Sequence, residues 1–174
     1  MDKNELIWAA KRNNADEIKK LIENGADVEF TDDEGVTALI YAAQGGNAEA
    51  IKILIEKGAD IEAKDKHGCT ALVYAAQFNN TDAVITLIEN GADIGAKNKD
   101  GWGPLRYAAQ FYNKKAIITI LEKCTDVETK DNYGWAAIVS AVKHKCSGII
   151  NLLNQIQNQE VKQRILESVN KTNL

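Results

Sequence analysis

An all-α solenoid of five stacked helix-turn-helix units is the fold that this sequence predicts, and three observations carry the prediction. The chain resembles itself at an offset of 33: Gly25-Ala26-Asp27, Gly58-Ala59-Asp60 and Gly91-Ala92-Asp93 align, with Cys124-Thr125-Asp126 as a degraded fourth copy. The same offset aligns the segments 35–39 (GVTAL), 68–72 (GCTAL), 101–105 (GWGPL) and 134–138 (GWAAI). It also aligns Tyr41-Ala42-Ala43, Tyr74-Ala75-Ala76 and Tyr107-Ala108-Ala109, and carries them back to Trp8-Ala9-Ala10. A fixed period of this size marks supersecondary units that cannot bury their apolar faces alone and must stack on their neighbours. The units fall at about 1–31, 32–64, 65–97, 98–130 and 131–156, the first without its leading turn, and 157–174 remain as a C-terminal helix and tail.

Each unit reads as turn, helix, short turn, helix. Thr37 and Thr70 stand where an N-cap is needed, because a hydroxyl there accepts a bond from an orphan amide of the first turn. The first helix then carries Leu39, Ala42 and Ala43 at i, i+3 and i+4, and paired alanines suit a helix packed closely between two others. The second helix carries Ile51, Leu54 and Ile55, repeated as Val84, Leu87, Ile88 and as Ile117, Ile120, Leu121. Gly58 and Gly91 end it, since glycine adopts the left-handed C′ conformation without steric cost. The following segments, 64–68 (KDKHG) and 97–101 (KNKDG), have turn composition and are expected to project as fingertips. Asp32, Asp33 and Glu34 are read as solvated acids of the first such tip.

The ends need polar outer faces. Asp16, Glu17, Lys19 and Lys20 solvate the N-terminal cap, while Asn151, Asn154 and Gln155 do so near the C-terminus. Residues 159–169 form an amphipathic pattern on Val161, Ile165, Leu166 and Val169, which predicts an additional C-terminal capping helix.

Composition excludes several function classes. With 21 basic and 25 acidic residues the formal charge is −4, which offers no electrostatic excess for nucleic acid or an anionic membrane surface. No apolar run approaches the length of a transmembrane span, and the first residues carry no basic-then-apolar signal pattern. The expected setting is cytoplasmic, with nuclear entry left open. Cys69, Cys124 and Cys146 are odd in number and contain no C-x-x-C pair, so they read as reduced thiols. His67 with Cys69, and His144 with Cys146, lie more than two repeats apart and do not make a metal site.

Nor does the chain carry a phosphate-binding loop, a nucleophile elbow, a zincin helix or a dinucleotide glycine pattern. Its three serines, Ser140, Ser147 and Ser168, and its two histidines suggest no nucleophile with a partnered base. No catalytic residue, cofactor or metal is expected, and the protein is not expected to be an enzyme.

Taken together, the D-x-x-G-x-T-x-L turn-helix start, the paired alanines and the Gly-Ala-Asp end resemble the ankyrin repeat family over residues 1–156. That resemblance implies an ankyrin-repeat solenoid with capping units at both ends, and a non-catalytic protein-protein interaction module. The family's T-P-L-H tetrad reads TALI at 37–40, TALV at 70–73, GPLR at 103–106 and AAIV at 136–139. Pro104 is the only proline, and loss of Thr at the fourth and fifth helix starts predicts a softer C-terminal half. The family's hydroxylated asparagine is replaced by Glu29, Glu62, Gly95 and Glu128, so that modification is not expected at these positions.

Opposite the buried stripe of each first helix lie Trp8, Lys11, Arg12; Tyr41, Gln44, Gly45; Tyr74, Gln77, Phe78; Tyr107, Gln110, Phe111; and Ser140, Lys143, His144. These positions face the expected concave groove. The fingertips read Asp33, Glu34, Val36, then Lys66, His67, Cys69, then Lys99, Asp100, Trp102, then Asn132, Tyr133, Trp135, growing more aromatic toward the C-terminus. Tyr and Trp dominate interface hot spots, so the expected partner-binding face comprises Trp102, Trp135, Tyr133, Tyr74, Phe78, Tyr107, Phe111, Tyr112 and Arg106, mainly in repeats three to five. The bland reading of the tyrosine column is inter-helix packing. Arg106 is placed to hold a carboxylate of the partner or to pair with Asp100. Another protein is the expected partner of a monomeric chain. The alternative is small-ligand or nucleotide recognition, with Trp102 and Tyr107 as a base platform and Arg106 as a phosphate partner.

Overall fold

The computed structural model describes residues 4–111, 113–123 and 159–171, together with positions 151, 154, 155 and 157. Four helix pairs follow one another: α1 (Glu5–Lys11) with α2 (Ala15–Glu23), α3 (Ala38–Gly45) with α4 (Ala48–Glu56), α5 (Ala71–Gln77) with α6 (Thr81–Glu89), and α7 (Pro104–Gln110) with α8 (Lys114–Lys123). A further helix, α9, spans Gln159–Lys171. The odd-numbered helices α1, α3, α5 and α7 pack side by side as one row, and α2, α4, α6 and α8 form a second row behind them. The expected fifth unit, with Tyr133 and Trp135, lies outside the described residues apart from 151, 154 and 155, as does Tyr112.

The core runs between the rows. Leu39, Ala42 and Ala43 are buried as the spacing predicts, and Leu72, Ala75 and Ala76 repeat the pattern. From the second row come Ile51, Leu54, Val84, Leu87, Ile117, Ile120 and Leu121, while Ile55 and Ile88 are only half-buried at its edge. Alanine pairs allow close helix approach, so α3 and α5 each pack between two first helices and against their own second helix. At α9, Val161 and Ile165 join the same core, whereas Leu166, expected on that apolar face, is 42% exposed. Val161 and Ile165 are i and i+4 on a helix, and the residue after Ile165 is rotated off their stripe.

Helix starts follow the predicted chemistry in part. The Thr37 hydroxyl accepts from the Ile40 amide at 3.2 Å. Thr70 adopts the same extended backbone but makes no cap bond: its hydroxyl is buried without a hydrogen-bond partner among the described residues. The α5 start is therefore held by its backbone, through Tyr74 N to Thr70 O at 3.2 Å. Pro104 occupies the first turn of α7, where its missing N–H would have been an orphan anyway.

A second periodic device sits at the helix-helix turns. Asn14, Asn47, Asn80 and Asn113 recur every 33 residues at the starts of the even-numbered helices. Asn47 Oδ1 accepts from Ala50 N at 3.0 Å while its Nδ2 donates to Asn13 O, one unit back, at 2.7 Å. Asn80 Nδ2 donates to Ala43 O at 3.1 Å and to Gln44 O at 2.7 Å. Asn113, almost fully buried, caps Ala116 at 3.0 Å and reaches Ala76 O at 3.5 Å. The Asn14 Nδ2 donates to Glu17 Oε2 at 3.0 Å. Asn47 and Asn113 thus each cap their own helix and reach a carbonyl of the preceding unit, whereas Asn80 makes only the backward bonds and Asn14 only the cap.

Two results are expected from this architecture. Asn47→Ala removes a cap and an inter-unit bond together, and is expected to lower stability by about 1–2 kcal/mol in urea unfolding. Glycine substitutions separate two causes of cost. Gly58 has φ +92° with open space around it, so Gly58→Ala is expected to cost about 1 kcal/mol from the left-handed backbone alone. Gly68 has φ +80° and a Cβ there would lie 3.1 Å from Lys99 N, so Gly68→Ala is expected to cost about 2 kcal/mol or more. Equal unfolding midpoints for the two variants would contradict the close approach of adjacent turns.

Candidate functional site

The face of the first-helix row turned away from the second row carries the candidate residues, and the turns before α3, α5 and α7 determine their orientation. In the first turn Asp32 Oδ1 accepts from Glu34 N and Val36 N, each at 3.0 Å, and Oδ2 accepts from the Tyr41 hydroxyl at 2.6 Å. The second repeats this with Asp65, whose Oδ1 accepts from His67 N at 2.9 Å and Cys69 N at 2.8 Å while Oδ2 accepts from Tyr74 at 2.7 Å. In the third, Asn98 Oδ1 accepts from Asp100 N and Trp102 N, and its amide donates to the Tyr107 oxygen at 3.1 Å. The substitution of Asn for Asp reverses the direction of the tyrosine bond without moving the ring.

This geometry corrects two expectations. Asp32 is the staple of its turn, and only Asp33 and Glu34 are solvated tip acids. Val36 and Cys69, expected at the tips, are buried, because the bonds from their backbone amides to the aspartate turn the side chains inward. Trp102 occupies the same register but is too large to follow them, and it remains partly exposed.

Trp102 instead stacks sideways. The Arg106 guanidinium carbon lies 3.3 Å from the Trp102 ring centroid, a cation-π arrangement. Trp102 meets Tyr107 at 5.4 Å between centroids with the planes tilted by 55°, and Tyr107 lies nearly parallel to Phe111 at 6.5 Å. One unit earlier Tyr74 and Phe78 form the same parallel pair at 6.2 Å. Phe78 and Phe111 are each 46% exposed, and Trp8 is 53% exposed. At the N-terminal end Lys11 Nζ lies 4.2 Å from the Tyr41 ring centroid and 5.3 Å from that of Trp8.

Thus the structure brings Tyr74, Phe78, Trp102, Arg106, Tyr107 and Phe111 onto one face. It also places Trp8 and Lys11 there, residues whose groove register was legible in the sequence but whose exposure was not. The asparagine series at 14, 47, 80 and 113 was missed as a structural element, although the offset of 33 marks it.

Local electrostatics leaves little reactive chemistry on this face. Burial acts to raise the Asp32 pKa, but the Tyr41 hydroxyl, the Val36 and Glu34 amides and the Lys11 charge outweigh it, and the carboxyl ends below its ordinary value. Burial, then the bond to Asp32, pushes Tyr41 up to about 12. Tyr74 rises for the same two reasons. Burial and the Asp65 charge raise the Cys69 thiol, which is therefore protonated and unreactive near neutral pH, with Asn98 Nδ2 at 3.8 Å from its sulfur. Glu29 and Glu62, which stand at the family's asparagine position, each accept a backbone amide of the next unit: Asp60 N at 2.9 Å and Asp93 N at 2.8 Å. Among the described residues no helix is long and apolar enough to cross a membrane.

Because folding lowers the Asp32 pKa, its stabilising effect is present above the ordinary carboxylate range and fades as pH falls through the folded value. The Tyr41 hydroxyl, with its pKa raised, contributes fully below about pH 10 and loses its contribution as pH rises through about 12. Tyr41→Phe is expected to cost about 1 kcal/mol at pH 7, the low end for a bond to a charged group because the pair is partly solvated. The gap between wild type and variant, measured by urea midpoint, is expected to narrow toward about pH 3 as the carboxylate protonates. A gap that does not change with pH would show that the ring, rather than the hydroxyl, matters.

A family model described as ankyrin repeats (3 copies) matches residues 6–98, more than half of the chain. No curated protein sequence matches it.

Proposed function

The chain belongs to the ankyrin repeat family, and from that premise we propose that it binds a partner protein through the aromatic face of its first-helix row. Ankyrin repeats are generally protein-protein interaction modules and typically lack catalysis. The observation that carries the finer reading is the exposure of Trp8, Phe78 and Phe111, large rings on one face with no core to fill. Aromatic side chains offer large contact area at low entropic cost, which suits them to interface anchors.

Arg106, Trp102, Tyr107 and Phe111 form the C-terminal part of that face, with Tyr74 and Phe78 beside them. From the sequence alone, Tyr112, Tyr133 and Trp135 are proposed to extend it. Tyr74 and Tyr107 combine two roles: each hydroxyl bonds to its turn, and each ring lies parallel to the exposed phenylalanine four residues on. The binding region therefore includes repeats three to five and continues to Trp8 in repeat one. We place the protein in the cytoplasm as a monomer, with neither nucleic acid nor a membrane as its target, in keeping with the net charge of −4. Nucleotide recognition is the weaker reading, because the Arg106 guanidinium occupies a Trp102 ring face on which a base would stack.

Phe78→Ala with Phe111→Ala is the direct test. The double variant is expected to keep its unfolding midpoint within about 0.5 kcal/mol of wild type, since both rings are exposed. Affinity purification with mass spectrometry is expected to lose the specific partners, with binding of any identified partner weakened about a hundredfold. Unchanged partners would remove this face from the interface. Trp102→Ala with Trp135→Ala tests the tips in the same way.

A further inference from the structure

Along the groove register, the position four residues after each aromatic of the first helix reads Arg12, Gly45, Phe78 and Phe111. Only the second unit has no side chain there. Beside this glycine lies a cleft of about 350 Å³ lined by Lys11, Tyr41, Gln44, Gly45 and Phe78, so it spans units one to three. Its apolar wall is the Tyr41 ring on one side and the exposed Phe78 ring on the other. Its polar wall is the Gln44 amide and the Lys11 ammonium.

Two features indicate the occupant. The cleft is open, its volume is that of one large side chain, and its aromatic lining favours an apolar one. Lys11 forms no direct ion pair among the described residues, although its charge also acts on Asp32; its ammonium rests on the Tyr41 and Trp8 rings, whereas neighbouring Arg12 is paired with Glu17 at 3.1 Å. An ammonium held over rings at the rim of an apolar cleft is complementary to a carboxylate on whatever enters.

Building on the protein-binding reading above, we propose that this cleft is a specificity pocket for a partner-protein segment in which a large apolar residue stands next to an acidic one. The apolar side chain lies over Gly45 between Tyr41 and Phe78, and the carboxylate meets Lys11. The remaining face, including Phe111 and Trp102, supplies contact without this selectivity.

The probe is a randomised peptide library displayed on phage, selected on the full chain and re-measured as synthetic peptides by fluorescence polarisation. Selected peptides are expected to pair Asp or Glu with an adjacent large apolar residue. They are expected to lose affinity about tenfold or more in Lys11→Glu and Lys11→Met, to retain it in Lys11→Arg, and to lose it when Gly45→Phe fills the cleft. A Cβ at position 45 would collide with the Asn13 side chain, which has to move aside, so the Lys11 variants provide the test even if Gly45→Phe folds poorly. Peptides that bind, that weaken in Phe78→Ala with Phe111→Ala, and that ignore both Lys11 and Gly45 would overturn the pocket and leave the binding face intact. Failure to select any peptide sensitive to this face would overturn both.

Discussion

Everything on the exposed face of the first-helix row depends on one side chain per turn. An oxygen of Asp32, Asp65 or Asn98 gathers the amides two and four residues on, and its second polar atom engages the tyrosine nine residues on. A turn would otherwise bury amides without partners, a cost comparable to a lost hydrogen bond for each. Because that bond reaches the tyrosine on the helix, turn and helix become one rigid piece. Adjacent turns then come close enough for Lys66 N to reach Glu34 O and Lys99 N to reach His67 O, each at 2.9 Å, and the glycines at 35 and 68 make room for it.

Stacking spreads this local order along the chain. Adjacent units are joined by turn amides between units two and three and units three and four, by Glu29 and Glu62 reaching forward from units one and two, and by Asn47, Asn80 and Asn113 reaching back. None of these bonds skips a unit, so stability is close to a sum over neighbours. The glutamates occupy the place of the family's asparagine yet keep a link between units, which shows that the link depends on the acceptor oxygen rather than on one residue type.

The same bonds occupy most of the polar groups of this face. Asp32, Tyr41, Asp65 and Tyr74 spend their polar atoms on one another and on backbone, and the Cys69 thiol is buried and protonated. Among the described residues, the exposed rings of Trp8, Phe78 and Phe111 and the Lys11 ammonium lie on this face. Exposed apolar rings beside a cation provide affinity and selectivity without moving protons, in agreement with a family of interaction modules.

By itself the sequence determined the period, the helix pairs, the turn glycines and the register of the groove, because each rests on interactions within a few residues or on repetition. Thr37 as a cap and the left-handed Gly58 and Gly91 are of this kind. Only the tertiary structure decided which register positions reach solvent. Val36, Cys69 and Trp102 share one place in the repeat, yet the first two turn under and the third does not, since the space beneath the turn admits a small side chain and excludes an indole. Gly45 likewise looked like a weak helix residue, and became the floor of a cleft only once Lys11 and Phe78, from the units on either side, closed around it. Side-chain direction at such points is set by contacts 30 or more residues apart, which periodicity aligns but does not orient.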